Sequence, residues 1–131
     1  MNTNQKGNIG ELAVASAAAE KGYVVSFTFG DCPYDMIIDR NGSLSRVQVK
    51  YLTLKNGSIT VRFSEPASKT YTGEYNEGNI DAIAVYESTT KTILWIPSTK
   101  SNETDTLTIR FDLPKNGQSK GITMSNEFVD W

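Results

Sequence analysis

Between two runs of alternating apolar and polar residues, 34–39 and 45–54, the chain places Asn41-Gly42. An Asn-Gly pair in that setting signals a β-hairpin closed by a two-residue turn, because both central residues must take positive φ. Such a turn sets the register. Arg40 faces Ser43, Met36 faces Val47 and Asp35 faces Gln48. Lys50, two residues beyond Gln48, projects from the same side of the strand. The opposite side collects Met36, Ile38, Val47 and Val49, which is a core face. One face therefore gathers a carboxylate, an amide oxygen and an ammonium, with the Cβ atoms of Asp35 and Gln48 about 4.5–5.5 Å apart.

A carboxylate beside an amide oxygen suits a hard divalent ion, and an adjacent lysine suits the negative charge that grows on a reacting phosphate. The absence of histidine sharpens this reading. It excludes His-based triads, His-ligated zinc and His general-base chemistry. Catalysis in this chain must rest on carboxylates, amides, lysines, hydroxyls or an oxygen-held metal, which favours magnesium or manganese. The plain alternative is that half-buried strands alternate polar and apolar residues without any function.

Around the hairpin, residues 8–21 read as a helix. Asn8 is a candidate N-cap, Glu11 three positions later fits a capping-box variant, and Gly22 is a C-terminal stop. Ile9, Leu12, Ala13, Ser16 and Ala19 form its apolar stripe. Strands are expected over 23–29, 34–39, 45–54, 58–63, 81–87, 92–97 and 106–111. Lys55-Asn56-Gly57 reads as a second hairpin turn. Residues 64–79 are polar and irregular, with room for a short helix, and the tail from 114 is poorly patterned. The order predicts one α/β (α+β) domain over residues 1–131, built around one mixed sheet. No apolar run reaches the roughly 18 residues of a membrane span, and the single cysteine, Cys32, fits a reducing cytoplasm.

Three stretches carry a family resemblance: Lys6-Gly7-Asn8-Ile9-Gly10-Glu11, Pro33-Tyr34-Asp35-Met36-Ile37-Ile38 and Val47-Gln48-Val49-Lys50. Together they resemble the PD-(D/E)XK nuclease superfamily, in particular the branch with the group I intron homing endonucleases of that fold. Asp81-Ala82-Ile83-Ala84-Val85-Tyr86, Ile96-Pro97 and Leu107-Thr108-Ile109-Arg110 are similar to that branch as well. The resemblance implies a restriction-endonuclease-like core, a central mixed sheet flanked by helices. It makes Asp35 the main metal ligand, Gln48 a ligand where most of the superfamily has an acid, Lys50 the motif lysine and Glu11 the helix-borne acid. Tyr34 separates Pro33 from Asp35, and Gln48 removes one negative charge from the metal site.

The activity so implied is Mg2+-dependent hydrolysis of double-stranded DNA to a 5′-phosphate, with Mn2+ able to substitute. The alternatives are a Holliday junction resolvase and a non-catalytic DNA-binding module that kept the fold. A double-strand cut needs two active sites of opposite polarity, so a homodimer or homotetramer is expected. Lys6, Arg46, Lys55, Arg62, Lys69, Tyr71 and Tyr75 are candidate DNA contacts. For each, a solvated or packing role is the default. The net charge of −2 leaves no overall basic footprint, although a local basic groove is compatible with it.

Overall fold

The computed structural model describes residues 1–65, 73–112 and 121–131. It opens with α1 (Thr3–Glu20), about five turns rich in polar and small residues and capped by Asn2. The Gln5 N–H donates to Asn2 Oδ1, and the Asn2 N–H donates to Gln5 Oε1, both at 2.8 Å. This reciprocal capping box starts the helix before Asn8, so Asn8 is not the cap and Glu11 is a mid-helix residue with its carboxylate uncommitted to the helix end. The expected apolar stripe is also displaced. Gly10, Val14 and Ala18 are the buried residues, whereas Ile9 and Leu12 are exposed. Small side chains let the helix axis approach the sheet: a Cβ on Gly10 would stand 3.3 Å from Val49 Cγ1. Gly22, with φ +85°, ends the helix, its N–H bonding Ala19 O while the Tyr23 N–H bonds Ala18 O.

The central sheet comprises β1 (Val24–Phe27), β2 (Met36–Arg40), β3 (Ser43–Leu52), β5 (Ala82–Glu87) and β6 (Thr92–Pro97), in the order β1-β2-β3-β5-β6. Only the β3–β5 pairing is parallel. Asn41 (φ 56°) and Gly42 (φ 97°) make the two-residue turn, with Arg40 opposite Ser43 and Met36 opposite Val47. The expected hairpin register holds.

A second sheet covers the other face, where one sheet was expected. It contains β4 (Ser58–Arg62), β7 (Thr106–Arg110) and the short β8 (Thr123–Met124), in the order β4-β7-β8. Asn56 and Gly57 do form a tight turn with positive φ. It joins strands of different sheets, however, with only a Lys55–Ser58 bridge across it. The flanking layers are thus α1 on one side and this small sheet on the other. Among the described residues α1 is the one α-helix, with 3₁₀ turns at Ser98–Asn102 and Ser125–Phe128.

Two apolar clusters result. Met36, Ile38, Val47, Ala84 and Trp95 pack against Val14 and Ala18 of α1. Ile83, Val85, Leu94 and Ile96 meet Ile59, Val61 and Ile109 of the second sheet. β5, covered on both faces, reads as a continuous apolar run for that reason. Trp131 closes the first cluster by stacking on Trp95, with ring centroids 4.4 Å apart, beneath the Arg40 guanidinium at 3.9 Å.

Candidate active site

β3 has ten residues and β2 has five. Past Val47, β3 keeps β5 on one side and, among the described residues, pairs with no strand on the other. The candidate site occupies that open edge. The backbone there carries unpaired donors that need partners, and Asp35, just before β2, supplies one. The Asp35 N–H donates to Val47 O (2.9 Å), and its Oδ2 accepts from the Val49 N–H (2.8 Å). The carboxylate is thereby fixed against β3. Gln48 lies beside it: with its amide oriented so that the nitrogen faces the surrounding acceptors, that nitrogen donates to Pro33 O (2.7 Å) and to Asp35 Oδ2 (3.2 Å).

Lys50 follows two residues later on the same face, with its side chain only 9% exposed. Its Nζ is 2.6 Å from Glu65 Oε1 and 4.8 Å from the centre of the Tyr75 ring. Glu65 was not legible in the sequence. It sits in a polar segment with no periodicity, and only the tertiary fold brings it to Lys50. Tyr75, for which a packing role is the default expectation, is buried in the core, 2% exposed.

Lys6, Gly7, Gln48, Lys50, Tyr51 and Glu65 line an open groove of about 300 Å³. Glu11 lies one helical turn beyond Gly7 on α1. Burial raises its pKa first, and the negative charge of Asp35 raises it further. Asp35 is also pushed up, mainly by burial and then by the Glu65 charge, against the pull of the Val49 N–H and the Lys50 ammonium. The four expected residues are therefore brought together, with Asp35 and Gln48 in direct contact and Glu11 within electrostatic reach.

One other expectation changes. Arg46 is held by Asp81 through Nε–Oδ2 (3.1 Å) and Nη2–Oδ1 (3.2 Å), and by the Glu77 and Gly78 carbonyls. Its guanidinium joins β3 to the start of β5 and is already occupied. Lys69 and Tyr71 lie outside the described residues.

Among the described residues no three His, Cys, Asp or Glu side chains form a group able to hold a metal by themselves. The site offers two carboxylates, Asp35 and Glu11, and one amide. That set suits magnesium, which is commonly held by one or two carboxylates and keeps several waters. Two partly buried carboxylates, with the Asp35 charge raising the cost of ionising Glu11, also suit a nearby cation.

A family model described as PD-(D/E)XK endonuclease matches residues 1–130. The chain belongs to that endonuclease family. Among solved structures it is similar to a bacterial homing endonuclease, I-Ssp6803I, with a TM-score of 0.75 and 22% identity over 98% of this chain and 88% of that one. At that identity the likeness speaks for the restriction-endonuclease-like fold. A search among curated proteins found no match.

Proposed function

We propose that this chain is a divalent-metal-dependent, site-specific endonuclease of double-stranded DNA, with Glu11, Asp35, Gln48 and Lys50 as its active site. The observation that carries the reading is the Asp35 carboxylate. It is partly buried, raised in pKa, in contact with Gln48 and near Glu11, on the strand face from which Lys50 projects. Asp35 and Glu11 are the groups that would hold Mg2+ or Mn2+, joined by the Gln48 amide oxygen once the amide turns over from its contact with Asp35 Oδ2. When bound, the ion supplies a Lewis acid and lowers the pKa of a coordinated water. Lys50 places a positive charge where negative charge develops on the phosphate. Its burial against Tyr75 and its contact with Glu65 limit its rotamers, so the charge is aimed before substrate arrives. Water adds to phosphorus, the 3′-oxygen leaves with a proton, and a 5′-phosphate remains.

Cleavage of both strands calls for a second, oppositely oriented site. A homodimer or homotetramer supplies it, and light scattering with DNA present tests this; a monomer throughout would favour nicking. The primary experiment incubates the wild-type chain with a random plasmid library and Mg2+, beside EDTA and a four-way junction. Linear or nicked plasmid that EDTA abolishes supports the proposal. Junction cleavage alone would shift it to a resolvase. The amide at Gln48 favours one further reading, a DNA-binding module without catalysis. DNA binding without Mg2+- or Mn2+-dependent cleavage would establish that instead.

A further inference from the structure

The second sheet has a face that cleavage chemistry does not use. On β4, Ile59 and Val61 point into the core while Ser58, Thr60 and Arg62 alternate outward. On β7, Thr106, Thr108 and Arg110 do the same around buried Ile109. The register lays these residues in three rungs: Ser58 opposite Arg110, Thr60 opposite Thr108, and Arg62 opposite Thr106. Four carry hydroxyls, two are arginines and none is acidic, in a chain whose net charge is −2.

Cations mark both ends of this ribbon. Lys55 bridges to Ser58 at one end, and Arg62 stands at the other. Both are exposed, and neither side chain has an ion pair among the described residues. Arg110 is different. Its Nη2 donates to Asn56 O and to Asp112 Oδ1, both at 3.1 Å, and its Nε donates to Asp112 O at 3.2 Å, which orients it and offsets part of its charge. Ser58 and Arg62 are four residues apart along the strand, about 13 Å. The major groove of B-DNA is about 12 Å wide and admits a two-stranded β-ribbon.

The position is also right. Leu52, Lys55, Thr60 and Arg110 help line an open groove of about 470 Å³. Leu52 lines the Lys50 groove too, so the two grooves abut. A rod-shaped polyanion lying over Lys50 would continue into the groove beside Lys55.

We propose that the outward face of the β4–β7 ribbon is the DNA-docking surface. Lys55 and Arg62 meet phosphates on the two walls of a major groove, and Thr60 and Thr108 meet base edges between them. The inference rests on the nuclease reading for its ligand, but its test is separable. In an Asp35→Asn background, binding of a random-sequence 30-base-pair duplex (a length of about three helical turns) is measured by fluorescence anisotropy across a salt series. Combining Lys55→Ala with Arg62→Ala weakens affinity about 10-fold or more and lowers the log–log salt slope by about 2, one for each lost phosphate contact. Thermal unfolding stays unchanged, since both side chains are exposed. In the Asp35-intact chain, Thr60→Ala with Thr108→Ala changes the sequences cut from a random library while cleavage persists. Unchanged affinity and slope in the double cation variant overturn the docking surface, even if the wild type cuts DNA. A change in oligomeric state with unchanged DNA binding overturns it as well and makes the face a subunit contact. If the wild type cuts nothing, the nuclease reading fails, while the salt series still decides the surface.

Discussion

Two carboxylates are tucked into the central sheet, and they are treated in opposite ways. Glu87, at the end of β5, is fully buried. Burial works against its charge, yet its pKa is held below the ordinary value by the N–H groups of Thr89, Thr90 and Leu54 and by the Thr90 hydroxyl, at 2.7–2.9 Å. Asp35, at the open edge of β3, has one backbone donor and the Gln48 amide, with the acids Glu11 and Glu65 close by, and its pKa is raised. Burial alone therefore does not mark a functional acid. Too few donors for a carboxylate, together with like charges, does. Glu87 is satisfied by the protein itself, whereas the charge of Asp35 is compensated only in part.

The largest expected effect lies on the Asp35 side. Lys50→Ala and Asp35→Asn each lower Mg2+-dependent cleavage by about 100-fold or more, while duplex affinity in anisotropy changes little. Affinity is spread over many phosphates, and Lys50 meets one. Asp35→Asn also leaves stability equal or higher, because a costly charge is gone. Near wild-type cutting by either variant would remove the site.

Glu87→Ala should show the reverse. It leaves three N–H groups and a hydroxyl without their acceptor, and should destabilise the fold by about 1–3 kcal/mol in chemical denaturation. Cleavage per folded molecule should be retained. A small stability loss with a large activity loss would invert the comparison.

The contrast between the two acids follows from where each lies in the fold, and that explains what the sequence disclosed. The Asp35–Gln48–Lys50 face was legible because a two-residue turn with local rules sets its register. The start of α1 was not, since the capping box at Asn2 and Gln5 competes with an equally good cap at Asn8. The buried stripe was hidden because Gly10 and Ala18 pack by being small, while the more apolar Ile9 and Leu12 stay outside. Asn56-Gly57 resembles Asn41-Gly42, and only tertiary packing decides that β4 leaves the first sheet. Glu65 and the occupied state of Arg46 likewise depend on contacts between segments far apart in the chain.

The pH dependence of stability should separate the acids next. Glu87, with a lowered pKa, contributes stability that is present above its unfolded value and lost as pH falls through its folded value. Asp35, with a raised pKa, binds its proton more tightly when folded. Its contribution is lost as pH rises from the unfolded value through the folded one. Denaturation midpoints of wild type and Asp35→Asn across the acidic range should therefore converge at low pH and diverge in favour of Asn as pH rises. Parallel curves would show that folding leaves the Asp35 pKa unshifted, and a wild type that gains on Asn as pH rises would show Asp35 to be as well satisfied as Glu87.

The smallest effect concerns Glu65. Replacing it with Gln removes the partner that holds Lys50 at 2.6 Å and should lower kcat about 10-fold with KM nearly unchanged, with partial recovery in Glu65→Asp. Loss of kcat and stability together would make Glu65 merely structural.

Whether the Asp35 edge is completed by a divalent ion is tested most directly by titrating Mg2+ and Mn2+ into the DNA-free chain while following thermal unfolding and the heat of binding. A saturable signal is expected in the wild type, with stabilisation of about 2.7 kcal/mol at a hundredfold excess over Kd. It should be absent in Asp35→Asn, weakened in Gln48→Ala, kept in Gln48→Glu and unaffected by Lys50→Ala. Identical titrations for the wild type and Asp35→Asn would contradict the account.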